Sequence, residues 1–313
     1  MSSFLSKIKV SNRILYCKEL KVKHHKLILK SLFGDTPDYE SVFYNINNVL
    51  AELSNLTFEE INKFNIIDYF LLLFEIRSLS IGSKIAAETT GEKVIKLTLD
   101  INKFCDCLKN INILDLLLPE TIDDYTFSYK LPTIFDIVNI DISSQETIYN
   151  LFVKSLAVKD TYIDFTQCDS ATSIKILESL PARITFNLNK RSQSIITKFN
   201  DINLLSYLPG LKDKQLMFNF NIDNLGTILK LLFGEQLLTL YVNIFNLCRI
   251  GNLTPEYIEN CTPGEYILFT KKIEELQQIN KASQLENVNI PTNSFGYPDI
   301  PPQVSRSESP SKG

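Results

Sequence analysis

Residues 57–82 read TFEEINKFNIIDYFLLLFEIRSLSIG, and the rest of the chain is read outward from them. Thr57 and Glu60 stand at capping-box spacing, so a helix can begin there with two of its free amides satisfied. Asn65 and Asp68 reset the cap for a second helix. Behind them Ile66, Ile67, Tyr69 to Phe74 and Ile76 are apolar almost all round, the pattern of a helix buried on most faces. Crossing a bilayer takes about 20 apolar residues, and Asp68, Glu75 and Arg77 interrupt this run, so it reads as a core helix. Arg77 is its odd member, because a guanidinium at the end of an apolar helix needs carboxylates or carbonyls around it. Gly82 stands where a C-terminal glycine stops a helix.

Upstream, Tyr39 to Leu53 is an amphipathic helix with Val42, Phe43, Ile46, Val49, Leu50 and Leu53 inward. Before it, Lys23 to Phe33 is a helix with Leu27, Ile28, Leu32 and Phe33 on one face, Lys23, Lys26 and Lys30 on the other, and Gly34 as its stop. That lysine face, with Lys18 and Lys21, reads as solvated rather than as an anion site. Ile14 to Cys17 reads as a short strand and Met1 to Lys9 as a loose arm.

Downstream of Gly82, Val94 to Ile101 alternates like a strand. Phe104 to Leu108, Ile111 to Leu114 and Tyr125 to Leu131 are strands or short helices, punctuated by Pro119 and Pro132. Then come a helix over Ser144 to Leu156, strands at Tyr162 to Phe165 and Ile184 to Leu188, and a short helix over Ser170 to Ser179. Ile195 to Leu205 is helical or mixed, and Leu216 to Ile222 alternates like a strand. Leu225 to Arg249 is the next long apolar helical pattern, with a break at Gly234. Its stripe of Leu229, Leu232, Phe233, Leu237, Leu240, Tyr241, Ile244 and Phe245 is expected to pack on the Ile66 to Ile76 helix. Thr254-Pro255 starts a short helix with proline at its first position. Thr262-Pro263-Gly264-Glu265 starts the last one, to about Asn280. The predicted class is α+β, mainly helical. Residues 1–84 form a helical part, 85–142 a β-rich middle segment, and 143–282 a mixed, then helical part. Residues 283–313, rich in Ser, Pro and Asn, form a disordered tail.

The 313 residues carry a net charge of −4, which argues against a dedicated nucleic-acid binder. Met1 to Val10 lacks a continuous apolar core, so no signal peptide is expected. The six Cys are scattered; Cys105 and Cys107 are the one close pair, and reduced thiols are the default reading. His24 and His25 diverge on a helix, whereas a shared metal wants them four apart. There is no glycine-rich phosphate loop. Asp123-Asp124 and Glu59-Glu60 read as solvated faces or helix caps, and Asp164, Cys168 and Asp169 lack a fourth ligand. No catalytic residue, cofactor or metal is expected, which leaves a binding or structural role.

Several segments, taken in order, resemble a known family. They are the basic helix CKELKVKHHKLILK (Cys17 to Lys30) with Leu32-Phe33-Gly34-Asp35, then Phe64-Asn65-Ile66-Ile67-Asp68 leading into Leu71 to Gly82. Far downstream come Leu231-Leu232-Phe233-Gly234-Glu235, Leu238-Thr239-Leu240-Tyr241 and the helix entered through Thr262 to Glu265. This order is similar to that of the baseplate hub assembly proteins of T4-like contractile-tailed bacteriophages. An R-x-x-S-x-G end closes their apolar helix, matched here by Arg77, Ser80 and Gly82. Their F-D-L-like lead-in is matched by Phe64-Asn65-Ile66, with Asn for Asp. Ala86-Ala87 stand where members often carry a cysteine pair. The resemblance covers about half the chain, in short apolar patches whose order carries the weight. It implies an assembly factor or minor component of the tail hub, without enzymatic chemistry, that contacts other hub proteins in the host cytoplasm. It binds no nucleic acid and has no membrane span. Phe64, Asp68, Arg77, Ser80, Gly82, Phe233, Gly234 and Glu235 are its motif residues, structural or interfacial. The alternative is a non-enzymatic cellular helical scaffold or adaptor. The echo between Ile28-Leu-Lys-Ser-Leu-Phe-Gly-Asp35 and Ile228-Leu-Lys-Leu-Leu-Phe-Gly-Glu235 reads as two similar helix ends rather than a duplication.

Overall fold

The computed structural model describes residues 6–10, 13–33, 38–88, 96–139, 151–208, 215–234 and 237–288, with the backbone alone at 170, 237 and 281–288. It begins with an antiparallel hairpin, β1 (Ser6–Val10) against β2 (Arg13–Cys17), with Ser6 opposite Cys17 and Val10 opposite Arg13. Ile8, Val10, Leu15 and Cys17 alternate inward and are buried. The loose arm expected over Met1 to Lys9 is therefore a strand from Ser6. Its two apolar side chains are too short a signal alone, and the pairing with β2 supplies the rest.

Four helices follow: α1 (Val22–Leu32), α2 (Tyr39–Leu53), α3 (Phe58–Asn62) and α4 (Ile66–Ile81). Thr57 and Glu60 close a reciprocal box at the start of α3, with bonds of 3.2 and 2.8 Å. Asn65 Oδ1 accepts from Asp68 N–H at 3.0 Å to cap α4. Ten of the 16 residues of α4 are buried, so α4 is the axis of the fold. The hairpin packs on it, and so does α5 (Ile101–Lys109). Inside, Tyr69 Oη–H donates to Asn47 Oδ1 at 2.6 Å and Asn47 Nδ2–H to Asn62 Oδ1 at 2.6 Å. These bonds satisfy the polar ends of residues that burial would otherwise penalise.

The middle of the chain supplies strands. β3 (Lys84–Glu88) and β4 (Lys96–Asp100) form an antiparallel ribbon. After α5 and α6 (Leu114–Leu117) comes a four-stranded antiparallel sheet in the order β5-β6-β7-β8. Its strands are β5 (Glu120–Ile122), β6 (Tyr125–Tyr129), β7 (Val153–Val158) and β8 (Thr161–Asp164), with α7 (Ile134–Val138) between β6 and β7. The sheet thus runs past residue 142, where the sequence ends the β-rich segment. The described end of the helix expected over Ser144 to Leu156 is strand β7. Val153 and Ser155 alternate inward there, and β6 and β8 pair with it on both sides.

Helices complete the chain: α8 (Ser170–Glu178), α9 (Ala182–Asn200), α10 (Ile222–Phe233), α11 (Leu237–Arg249), α12 (Pro255–Asn260) and α13 (Pro263–Val288). The strand expected over Ile184 to Leu188 is the start of α9. Ile184, Phe186 and Leu188 do alternate, but Ile184, Leu188, Ser192, Ile195 and Phe199 make a longer helical face that is buried, and Phe186 is left 69% exposed. Leu216 to Ile222 makes one isolated bridge, Asn203 to Met217, rather than a strand. Helix α13 continues through Val288, six residues into the segment expected as a tail; 289–313 lie outside the described residues.

Two hydrophobic cores result. The smaller joins the sheet to α8 and α9 through Phe127, Val153, Leu156, Leu177, Ile184 and Leu188. The larger takes side chains from β1 through α13. An aromatic chain runs through it from Phe43 to Tyr69, Phe70, Phe74 and Phe104, and from Phe70 through Phe218 and Phe199 to Phe220 and Phe152. The echo segments begin in α1 and α10, which pack on each other with Ile28, Leu29 and Leu32 buried in one and Ile228, Leu229 and Leu232 in the other.

Candidate functional site

The C-terminal ends of α4 and α10 meet at one junction. A helix end leaves its last carbonyls without helical partners and carries a partial negative charge. Arg77, on the last turn of α4, answers both ends. Its Nε–H donates to Leu232 O of α10 at 2.9 Å, and its Nη1–H donates to Gly82 O just past its own helix. The residue is buried, and burial lowers the guanidinium pKa to about 10, so it stays charged at neutral pH. Both acceptors are helix-end carbonyls, and among the described residues no carboxylate pairs with it. Gly82 turns the chain at φ +98°, a value that favours glycine.

His25 of α1 joins the same junction. Its Nε2–H donates to Phe233 O at 3.0 Å, and its ring lies 6.0 Å from that of Phe233. Burial holds its pKa below the usual histidine value against the opposing effect of that hydrogen bond, and Arg77 lowers it further. Ser80 ties in the chain before α1: its hydroxyl donates to Ile76 O at 2.7 Å and accepts from Leu20 N–H at 2.7 Å. Val22 N–H donates to Cys261 O, at the end of α12, at 2.9 Å.

The structure therefore brings together Arg77, Ser80, Gly82, Phe233 and Gly234, from two patches far apart in the sequence. Phe64 and Asp68 lie at the other end of α4. Phe64 is buried beneath the Arg13 guanidinium, 5.4 Å from its ring centre. Asp68 accepts from Asn65 Nδ2–H at 2.7 Å and faces a groove of about 530 Å³ walled by Ile67, Leu71, Leu108 and Leu131, with Lys9 and Lys109 at its edge. Glu235 lies outside the described residues, as do Gly34 and Asp35. His25 is the member of the junction that motif reading passes over. Its neighbour His24 does point elsewhere, accepting from Lys21 N–H at 3.0 Å through Nδ1. His24 Nε2 lies 3.1 Å from Glu52 Oε1, and burial holds the His24 pKa below the usual histidine value.

The junction is a clamp of donors on backbone carbonyls, with no nucleophile and base set against each other. The other residues weighed for chemistry have structural posts. Asp164 and Asp169 cap the turn after β8 and the start of α8, and Asp123 sits at φ 54° in the β5–β6 turn. Burial raises the Cys17 thiol to about 11 and, as the main cause, the Cys105 thiol to about 12, away from reactive values. Among the described residues no group of three or more His, Cys, Asp or Glu could hold a metal ion.

The expected apolar stripe divides at Gly234. Leu229, Leu232 and Phe233 on α10 are buried, but α10 packs on α1 and β3 rather than along α4, which it meets through Arg77. On α11, Leu240 is buried, whereas Tyr241 and Phe245 are exposed. The span Ile222–Arg249 holds an 18-residue window of mean hydropathy 1.4, long and apolar enough to cross a membrane by length and composition. Its first half here is core.

No protein-family model, no curated protein and no solved structure matches the chain.

Proposed function

We propose that this chain is a baseplate hub assembly factor, or a minor hub component, of a T4-like contractile-tailed phage, and that it works by protein–protein contact. The observation that carries the reading is the convergence at the junction. Arg77 and Leu232 come from two of the resembling patches, 155 residues apart, and are hydrogen-bonded. Residues that share a resemblance and also share a contact form one structural unit. On this reading the partners are other hub proteins, the chain binds no nucleic acid, it has no membrane span, and it acts in the host cytoplasm, or later in the virion tail.

Co-expression with the tail-tube, tape-measure and spike proteins encoded by neighbouring genes tests it. The expected result is a complex of defined stoichiometry with one of them on size-exclusion chromatography. Neighbouring genes of purely cellular function, or no complex with any tail protein, would overturn it.

A further inference from the structure

Among the described residues, one face of α11 is left without a covering element. The helix reads LLTLYVNIFNLCR and carries no charge before Arg249. Its inner side is held on α13, where Tyr266 Oη–H donates to Leu240 O at 3.4 Å and Leu240 and Leu247 are buried. Its outer side presents Leu238, Tyr241, Val242 and Phe245, exposed by 73, 39, 48 and 60%. Their spacing of three, one and three residues sets them on a single stripe. Helix α1 extends the surface: Lys26 and Lys30 reach over Tyr241 at 5.3 and 6.0 Å from its ring centre. Leu27 and Phe33 beside them are 38 and 41% exposed.

Surface helices ordinarily turn charged residues to water. At about 200 Å² for a large apolar side chain, the six residues leave roughly 600 Å² of apolar surface open, the upper end of what monomers tolerate.

We propose that this face is the interface of a symmetric dimer, in which two copies of the chain pack α11 against α11 across a two-fold axis. The area fits: covering one such face with another removes about 1,200 Å² in all, the size at which specific interfaces begin. The charge pattern fits as well. The stripe itself is neutral. Of the lysines at its border, Lys26 is already paired with Glu259 at 2.5 Å, while Lys30 over Tyr241 and Lys230 over Phe33 lie at the rim rather than on the stripe. An identical face meets no net repulsion at the centre, and an uncharged centre offers no electrostatic code for a foreign partner. The dimer stands whether or not the chain assembles hubs.

Sedimentation velocity of the full chain from about 1 to about 100 µM, a range that brackets a micromolar Kd, tests it. The expected result is a concentration-dependent dimer. The double variant Leu238→Glu, Phe245→Glu is expected to stay monomeric throughout, with the wild-type circular dichroism and the thermal midpoint that the wild type shows when dilute enough to be monomeric. In a second measurement, Val242→Cys at the centre of the stripe is expected to form a chain-to-chain disulfide under mild oxidation, where the wild type does not. A wild type that is monomeric at every concentration overturns the proposal, as does a folded double variant that still dimerises or a Val242→Cys chain that does not cross-link. A monomer that floats with phosphatidylcholine–phosphatidylglycerol vesicles, or that binds a hub subunit through this face, also overturns it and gives the face to that partner.

Discussion

At the residue scale, Arg77 and His25 hold the same helix end by the same means, donation to a backbone carbonyl. Arg77→Ala removes two charge-assisted bonds and leaves buried carbonyls open, which is expected to cost roughly 2 to 3 kcal/mol. Arg77→Lys should recover only part of this, because an ammonium cannot span both acceptors in one plane. Urea unfolding reads it as a lower midpoint at unchanged slope, and an unmoved midpoint in Arg77→Ala would remove the clamp from the account. His25 gives a pH signature. Its folded pKa lies below the unfolded value of 6.5. Between the two values the unfolded chain holds more protons, so stability is complete above the unfolded value and is lost as pH falls through it towards the folded one. His24 adds a slope of the same sign. His25→Gln keeps a donor for Phe233 O without titrating, so its stability between about pH 7.5 and 5.5 should fall less steeply than the wild type's, by up to about 1.4 kcal/mol per pH unit. An identical slope would show that His25 does not titrate on unfolding. Arg77 is legible in the sequence because a charge at the end of an apolar helix demands partners. The role of His25 is not, because its acceptor is a carbonyl 208 residues away, and a backbone acceptor leaves no mark on residue type.

At the element scale, burial rather than capping holds α4. Asn65→Ala removes one side-chain cap and is expected to cost about 1 kcal/mol. Phe70→Ala opens the crossing point of the aromatic chain and is expected to cost roughly 3 to 5 kcal/mol. Thermal or urea unfolding of the pair checks the order, and equal losses would contradict it. The same physics explains which elements are legible. Helix α2 declares itself by a period sustained over 15 residues, and α4 by a cap, an apolar run and a glycine stop that agree over 16. Strand β1 and the start of α9 do not. Five residues of alternation suit either state until a partner strand, or a buried face that continues for three more turns, decides between them. Strand β7 is decided by β6 and β8 on its two flanks, information that lies outside its own six residues.

For the whole molecule, the central claim is that the N-terminal and C-terminal helices build one core around α4, with the sheet and its smaller core beside it. Buried side chains of the larger core come from α1, α2 and α4 at one end of the chain and from α10, α11 and α13 at the other. The cross-chain bonds from Arg77, His25 and Val22 all end on residues beyond 230. The mixed helical class with strands in the middle is legible from composition and period; the closing of the core is not, because it depends on contacts between the two ends. A chain ending at Val288 should keep the full unfolding midpoint, since every described core residue precedes it. The most direct test is the fragment 1–209. Without α10 to α13 it exposes the apolar faces of α1 and α4, so it should aggregate, bind a hydrophobic dye and show no cooperative transition in urea. A soluble 1–209 fragment that unfolds cooperatively, with a slope in proportion to its size, would mean two independent domains and would contradict the single closed core.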